Sequence, residues 1–156
     1  WWDMIIIIIL FLFLDQMIKY LVASNMHLNQ SINIIKDFFK ITYVTNDGAA
    51  FSLFSGNVLL LILIAVFVII YIFKNIKKLE KLEKYIYSIL VAGILGNLID
   101  RIFRRHVIDY LDFRLFGYDM AIFNFADICI VVSCSLLLLL EVIKWKKSQL
   151  VKQTKD

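Results

Sequence analysis

Asp127 opens a long apolar run with no basic residue within four positions, and Asn124 stands one helical turn before it. A carboxylate in that setting has no evident structural partner along its own helix, and an ionisable group at membrane depth marks a functional site. A second carboxylate lies upstream in Asp109 or Asp112, and the residues alone leave open which of the two joins it. Two carboxyls held close cannot both ionise cheaply, so they share a proton. Such a pair can act as general acid and base, which is the chemistry of an enzyme. Carboxylates and cations of this kind also build proton relays, so a small proton-coupled transporter or channel subunit is the alternative. Other polar residues recur at spacings that share a helix face: Asp15 with Lys19, and Asn97 with Asp100 and Arg101. Asp15 and Lys19 are spaced to pair, unless Lys19 snorkels to the interface, and Arg101 reads either as a site residue or as an interface anchor paired with Asp100. Ser52 and Ser55 have no obvious base, so a serine nucleophile is unsupported. His27 and His106 have no ligand partner at metal spacing, and no metal or cofactor is expected.

The elements that must position these groups are apolar spans. Of 156 residues, 62% are apolar, and the mean hydropathy is +0.82, whereas a soluble domain is nearer half apolar. The excess lies in four runs, at about 4–22, 53–73, 85–103 and 123–143. Each approaches the roughly 20 residues that a helix needs to cross a bilayer. The first run holds Asp15 and Lys19 near its end with no small-residue cleavage site after it, so it reads as a retained helix. The expected fold is an all-α membrane protein of four transmembrane helices with a small exoplasmic β element, a single domain over 1–156. Lys74, Lys77, Lys78, Lys81 and Lys84 separate the second and third runs, and a Lys-rich tail occupies 144–156. The positive-inside rule puts both segments, and both termini, on the cytoplasmic side. The net charge of +4 is therefore a matter of topology, and nucleic acid is not an expected partner. Cys129 and Cys134, five apart in one apolar run, fall on different helix faces and read as packing residues.

Two segments remain outside. The first, about 27–52, contains the β-branched and aromatic stretch Phe38 to Thr45 and reads as strand. In the second, about 104–122, Leu111 to Met120 is expected as a short helix or a loop at the interface. On this topology every polar cluster falls at the outer end of its span. A transporter site more often lies near the midplane between inverted repeats, and the sequence shows no repeat.

The same residues form a series of motifs. Asp15-Gln16-Met17-Ile18-Lys19 resembles the first motif of the bacterial lipoprotein signal peptidases (signal peptidase II), and Asn46-Asp47-Gly48-Ala49-Ala50-Phe51-Ser52 their second. Gly93-Ile94-Leu95-Gly96-Asn97-Leu98-Ile99-Asp100-Arg101 is similar to the third, Val107-Ile108-Asp109-Tyr110 to the fourth, and Phe123-Asn124-Phe125-Ala126-Asp127 to the fifth. They occur in family order over nearly the whole chain. Two departures stand out: Ala92-Gly93 replaces the family's usual pair of glycines, and Met120-Ala121-Ile122 lacks the proline that often precedes the fifth motif. The resemblance implies an aspartyl endopeptidase of the bacterial cytoplasmic membrane that cuts diacylglyceryl-modified prolipoproteins just before the lipidated cysteine, near the exoplasmic face. It implies Asp109 and Asp127 as the catalytic pair, in preference to Asp112. It implies substrate-binding or supporting roles for Asp15, Lys19, Asn46, Gly48, Asn97, Arg101 and Asn124. Membrane lipids and globomycin-like cyclic peptides are the further partners it implies.

Overall fold

A computed structural model describes residues 1–48 and 55–153. The last four residues of the second motif, Ala49 to Ser52, lie outside the described residues. The chain order is α1 (Trp2–Asn25), β1 (Ser31–Ile35), β2 (Phe39–Asn46), α2 (Val58–Asn75), α3 (Lys81–Arg104), β3 (Val107–Leu115), β4 (Tyr118–Asp119) and α4 (Phe125–Gln153). A short 3-10 turn, Ile76–Lys78, links α2 to α3. All four α-helices are long and apolar enough to cross a membrane, in agreement with the expected spans. Helices α1, α3 and α4 are longer than the apolar runs suggest, whereas α2 begins only at Val58 and has 18 residues. The α4 helix continues into the basic tail, where Lys144 donates to Glu83 at 2.7 Å and so ties it to the start of α3.

The α3 helix is the axis of the bundle: about half of its apolar window is buried, against about a sixth for each of the other three. Its sequence explains this. Gly93 and Gly96 are one turn apart on the face toward α4 and α1. A Cβ on Gly93 would stand 2.6 Å from the Ala126 carbonyl oxygen and 3.0 Å from the Cys129 Cβ. One on Gly96 would run into the Asp15 carboxylate. With no hydrophobic drive between helices in lipid, such small residues let backbones approach closely enough to pack. Bulky apolar side chains elsewhere, among them Ile6, Ile9, Phe67 and Leu138, remain exposed, as a lipid-facing surface requires.

Four antiparallel strands lie at the other end, in the order β1-β2-β3-β4. The strand expected within Phe38–Thr45 is present as β2. The segment expected as short helix or loop is instead β3 and β4. The β3 strand pairs along β2, with Val44 opposite Asp109 and Asn46 opposite Val107. That partner is distant in sequence, so local composition did not announce the strand. Arg105, left-handed at φ 66°, caps α3 and turns the chain back. The Ile108 amide then donates to Asp100 at 3.4 Å, which lays β3 against the end of α3. Replacing Gly93 by valine forces α3 and α4 apart, because its nearest neighbour is backbone and cannot yield. The expected loss is about 1–3 kcal/mol of stability, to be read as a lowered melting temperature in detergent.

Candidate active site

Asp109 lies on β3 and Asp127 in the first turn of α4, and backbone pairing ties these two elements together. The Phe123 carbonyl accepts from the amides of Tyr110 (3.1 Å) and Leu111 (2.8 Å), and the Phe123 amide donates to Leu111 (3.1 Å). The Tyr110 hydroxyl accepts from the Phe125 amide at 3.2 Å. The chain therefore enters α4 from a bridge to β3.

Asn124 joins the two carboxylates. Its side-chain oxygen accepts from the Asp127 amide at 3.0 Å, and its own amide donates to the Asp127 carboxylate at 3.1 Å. This reciprocal pair is a capping box, which satisfies amides left free at a helix start. The Asn124 side-chain nitrogen then points away from α4 and donates to Asp109 at 2.6 Å. Asp127 thus has partners that its own helix sequence did not reveal: this cap, and Asn97 on α3, whose nitrogen donates to it at 2.8 Å. Asp109 accepts a second amide, from Asn46, at 3.1 Å. The β2–β3 register makes Asn46 its diagonal neighbour. Hydrogen bonds to an ionised group are worth about 1.5–3 kcal/mol each, so these amides hold both carboxylates firmly.

Asp112 has a different environment. It is buried and accepts from Thr42 at 2.6 Å, with the Lys40 ammonium at 3.5 Å. Its charge is accounted for within the sheet. Arg101 does not pair with Asp100 as the sequence suggested. It donates to the Gly48 carbonyl at 2.7 Å and to the Asn97 carbonyl at 3.4 Å. The Gly48 amide in turn donates to Asn46 at 2.9 Å. The Arg101 Nε is buried and has no hydrogen-bond partner among the described residues.

Asp100, on α3, turns to α1. Lys19 is wholly buried, with Asp15 and Asp100 each 2.9 Å from its ammonium and the Asn97 oxygen at 3.0 Å. The expected Asp15–Lys19 pair is thus one side of a larger cluster, which Arg104 closes through Asp100. The other Asp15 oxygen accepts from the Ala126 amide at 3.0 Å. Removing one partner from such a cluster leaves a buried charge unpaired, at a cost of about 3–5 kcal/mol.

A cavity of about 700 Å³ opens beside the two acids. Asp109, Asp127, Asn46, Asn97 and Arg101 line its polar end, while Leu61, Ala65 and Val68 of α2 and Ile128 and Val131 of α4 form part of its apolar wall. Asp15, Lys19 and Asn124 stand behind these residues and do not line it. Of the residues singled out from the sequence, the structure thus gathers one set at the cavity and another behind it. Ile94, Val107 and Phe123 of that wall fall within the motifs, whereas the part that α2 contributes carries no motif and was not legible in the sequence.

Burial pushes the Asp109 carboxyl from its ordinary 3.8 up to about 6, and the neighbouring Asp127 charge adds to the rise. A carboxyl raised in the fold favours the folded state while protonated. Its contribution is complete below about pH 3.8 and is lost as pH climbs through about 6. The melting temperature should therefore fall between about pH 4 and about pH 7, and this slope should flatten in Asp109→Asn. An unchanged slope in the variant would mean that Asp109 titrates alike folded and unfolded.

Comparisons with known proteins agree on one family. A profile of the family described as signal peptidase (SPase) II matches residues 7–143. A lipoprotein signal peptidase of Fusobacterium nucleatum is 41% identical over 143 residues, covering 87% of this chain and 86% of that protein. One from Halothermothrix orenii is 41% identical over 138 residues, covering 86% and 91% respectively. A bacterial membrane enzyme solved by the in meso method at 2.3 Å superposes with a TM-score of 0.84 and 32% identity, covering 91% of this chain and 88% of that one.

Proposed function

The chain belongs to the signal peptidase II family of aspartic membrane peptidases, and we propose that it cleaves diacylglyceryl-modified prolipoproteins just before the lipidated cysteine, with Asp109 and Asp127 as the catalytic pair. The observation that carries this reading is their shared position. Two carboxylates from different elements face one cavity, joined through Asn124.

In this mechanism one member of the pair is protonated and the other ionised. The ionised member takes a proton from a water, and the resulting hydroxide attacks the scissile carbonyl. The protonated member hydrogen-bonds the carbonyl oxygen as it gains charge. Collapse of the tetrahedral intermediate breaks the C–N bond, and a proton passes to the leaving amine. Asn97, Asn46 and Asn124 hold the carboxylates so that little reorganisation accompanies the reaction. The Nε of Arg101, without a hydrogen-bond partner among the described residues, is a donor for a substrate carbonyl. The apolar wall between α2 and α4 takes the acyl chains, which are insoluble in water and reach the site sideways from the bilayer. Globomycin-like cyclic peptides occupy the same cavity. The Lys-rich segments face the cytoplasm with both termini, and the site lies near the outer face of the cytoplasmic membrane.

Cleavage of a diacylglyceryl prolipoprotein by purified protein in detergent tests the reading. Folded Asp109→Asn and Asp127→Asn should each lose at least about 10⁴-fold in kcat, as triad-type knockouts do. Full activity in either removes that residue from the chemistry, and no cleavage by the folded native chain removes the substrate. Filling the groove with Ala65→Phe should raise KM on the order of tenfold with kcat little changed, as for the loss of roughly two buried methylenes. An unaltered KM would place the acyl chains elsewhere.

A further inference from the structure

Lys19 is wholly buried and stands behind the residues that line the cavity without lining it. Gln16 completes its surroundings by donating to Asp15 at 3.1 Å and to Asp100 at 3.4 Å. An ion cluster that only fastened α1 to α3 would be complete with Asp15, Asp100 and Arg104. The Lys19 ammonium nevertheless spends its third contact on the side chain of Asn97, at 3.0 Å. Asn97 in turn donates to Asp127.

That contact has a directional consequence. A lysine ammonium carries only donors, so the Asn97 atom facing it must be the amide oxygen. The Asn124 nitrogen, 3.2 Å from the same oxygen, demands the same orientation. With its oxygen claimed, the amide presents its nitrogen to Asp127. Turned over, Asn97 would press an N–H against the ammonium and an oxygen against the Asp127 carboxylate. Lys19 also stands between Asn97 and the carboxylates of Asp15 and Asp100. Without it, those acids would attract the amide nitrogen away from Asp127.

We propose that Lys19 is a positioning residue for the reaction: it fixes the Asn97 amide in the one orientation that donates to Asp127, without touching substrate. This rests on the reading of Asp109 and Asp127 as the catalytic pair.

A double-mutant cycle tests it. Lys19→Met is combined with Asp15→Asn, so that Asp100 and Arg104 still balance each other, and the pair is placed in the native chain and in Asn97→Ala. Cleavage of a diacylglyceryl prolipoprotein is followed under single-turnover conditions with enzyme in excess. In the native background the pair should slow cleavage roughly ten- to hundred-fold, the range for a lost hydrogen bond to a charged group, with KM within about twofold. In Asn97→Ala it should cost less than about threefold, because the group through which Lys19 acts is gone. Equal losses in both backgrounds, or a KM that rises as much as the rate falls, would overturn the proposal. If the charge-balanced pair melts well below the native chain, Asn97→Asp replaces it, since that variant keeps the ion cluster whole. Its activity should be depressed at neutral pH and recover as pH falls, when a protonated carboxyl again donates to Asp127. A ratio to native activity that is flat with pH overturns the proposal. Asp109→Asn and Asp127→Asn run alongside. Activity in either points to failure of the catalytic pair itself, whereas equal losses with both of these inactive sink the role of Lys19 alone.

Discussion

Water is scarce at membrane depth, so a carboxylate placed there must find its donors within the protein. This requirement shapes the half of the molecule that carries the sheet. Asp109 and Asp127 are each held by amide nitrogens, and one residue, Asn124, serves both. For Asn124 to reach them, the start of α4 must lie against β3, and the Phe123 bridge puts it there. For Asn97 to reach Asp127, α3 must approach α4 closely, and the glycine at 93 allows it. The side chains that donate, the strand pairing and the helix contact are thus consequences of one need.

Behind this layer lies a second, made of charges. Asp15, Lys19, Asp100 and Arg104 alternate in sign and are almost entirely buried apart from Arg104. Buried ion pairs are seldom net stabilisers, because desolvation offsets much of the attraction. Apolar residues of equal volume would fasten α1 to α3 at least as well. What the charges add is direction: the ammonium imposes a donor at a defined point, and the Asp15 carboxylate accepts the Ala126 amide near the start of α4. The cluster also needs the missing side chain at Gly96, where the Asp15 carboxylate sits. Small residues on α3 therefore serve both the polar network and the helix packing.

The remainder of the bundle is looser in its demands. Helix α2 contributes Leu61, Ala65 and Val68 to the cavity wall and presents Phe67 and Leu59 outward. Its residues are interchangeable apolar types as far as the sequence shows. A surface that meets acyl chains needs shape and apolarity, and many residues supply these equally. This is why the α2 side of the groove has no motif while the polar end draws on four.

The sequence by itself determined the four apolar spans, the crowding of polar residues at one end, a strand within Phe38–Thr45 and the family. Each of these is carried by local hydropathy, by helix or strand periodicity, or by residues at fixed short spacing, all of which survive in one dimension. Tertiary structure alone decided that Asp112 is bound within the sheet by Thr42 and Lys40 while Asp109 faces the cavity. It alone made Leu111 to Leu115 a strand, turned Asp100 to Lys19 instead of Arg101, and gave Asp127 its partners. In each case the deciding contact lies on another element, often tens of residues away. Periodicity places a residue on a face, but only packing decides what that face meets.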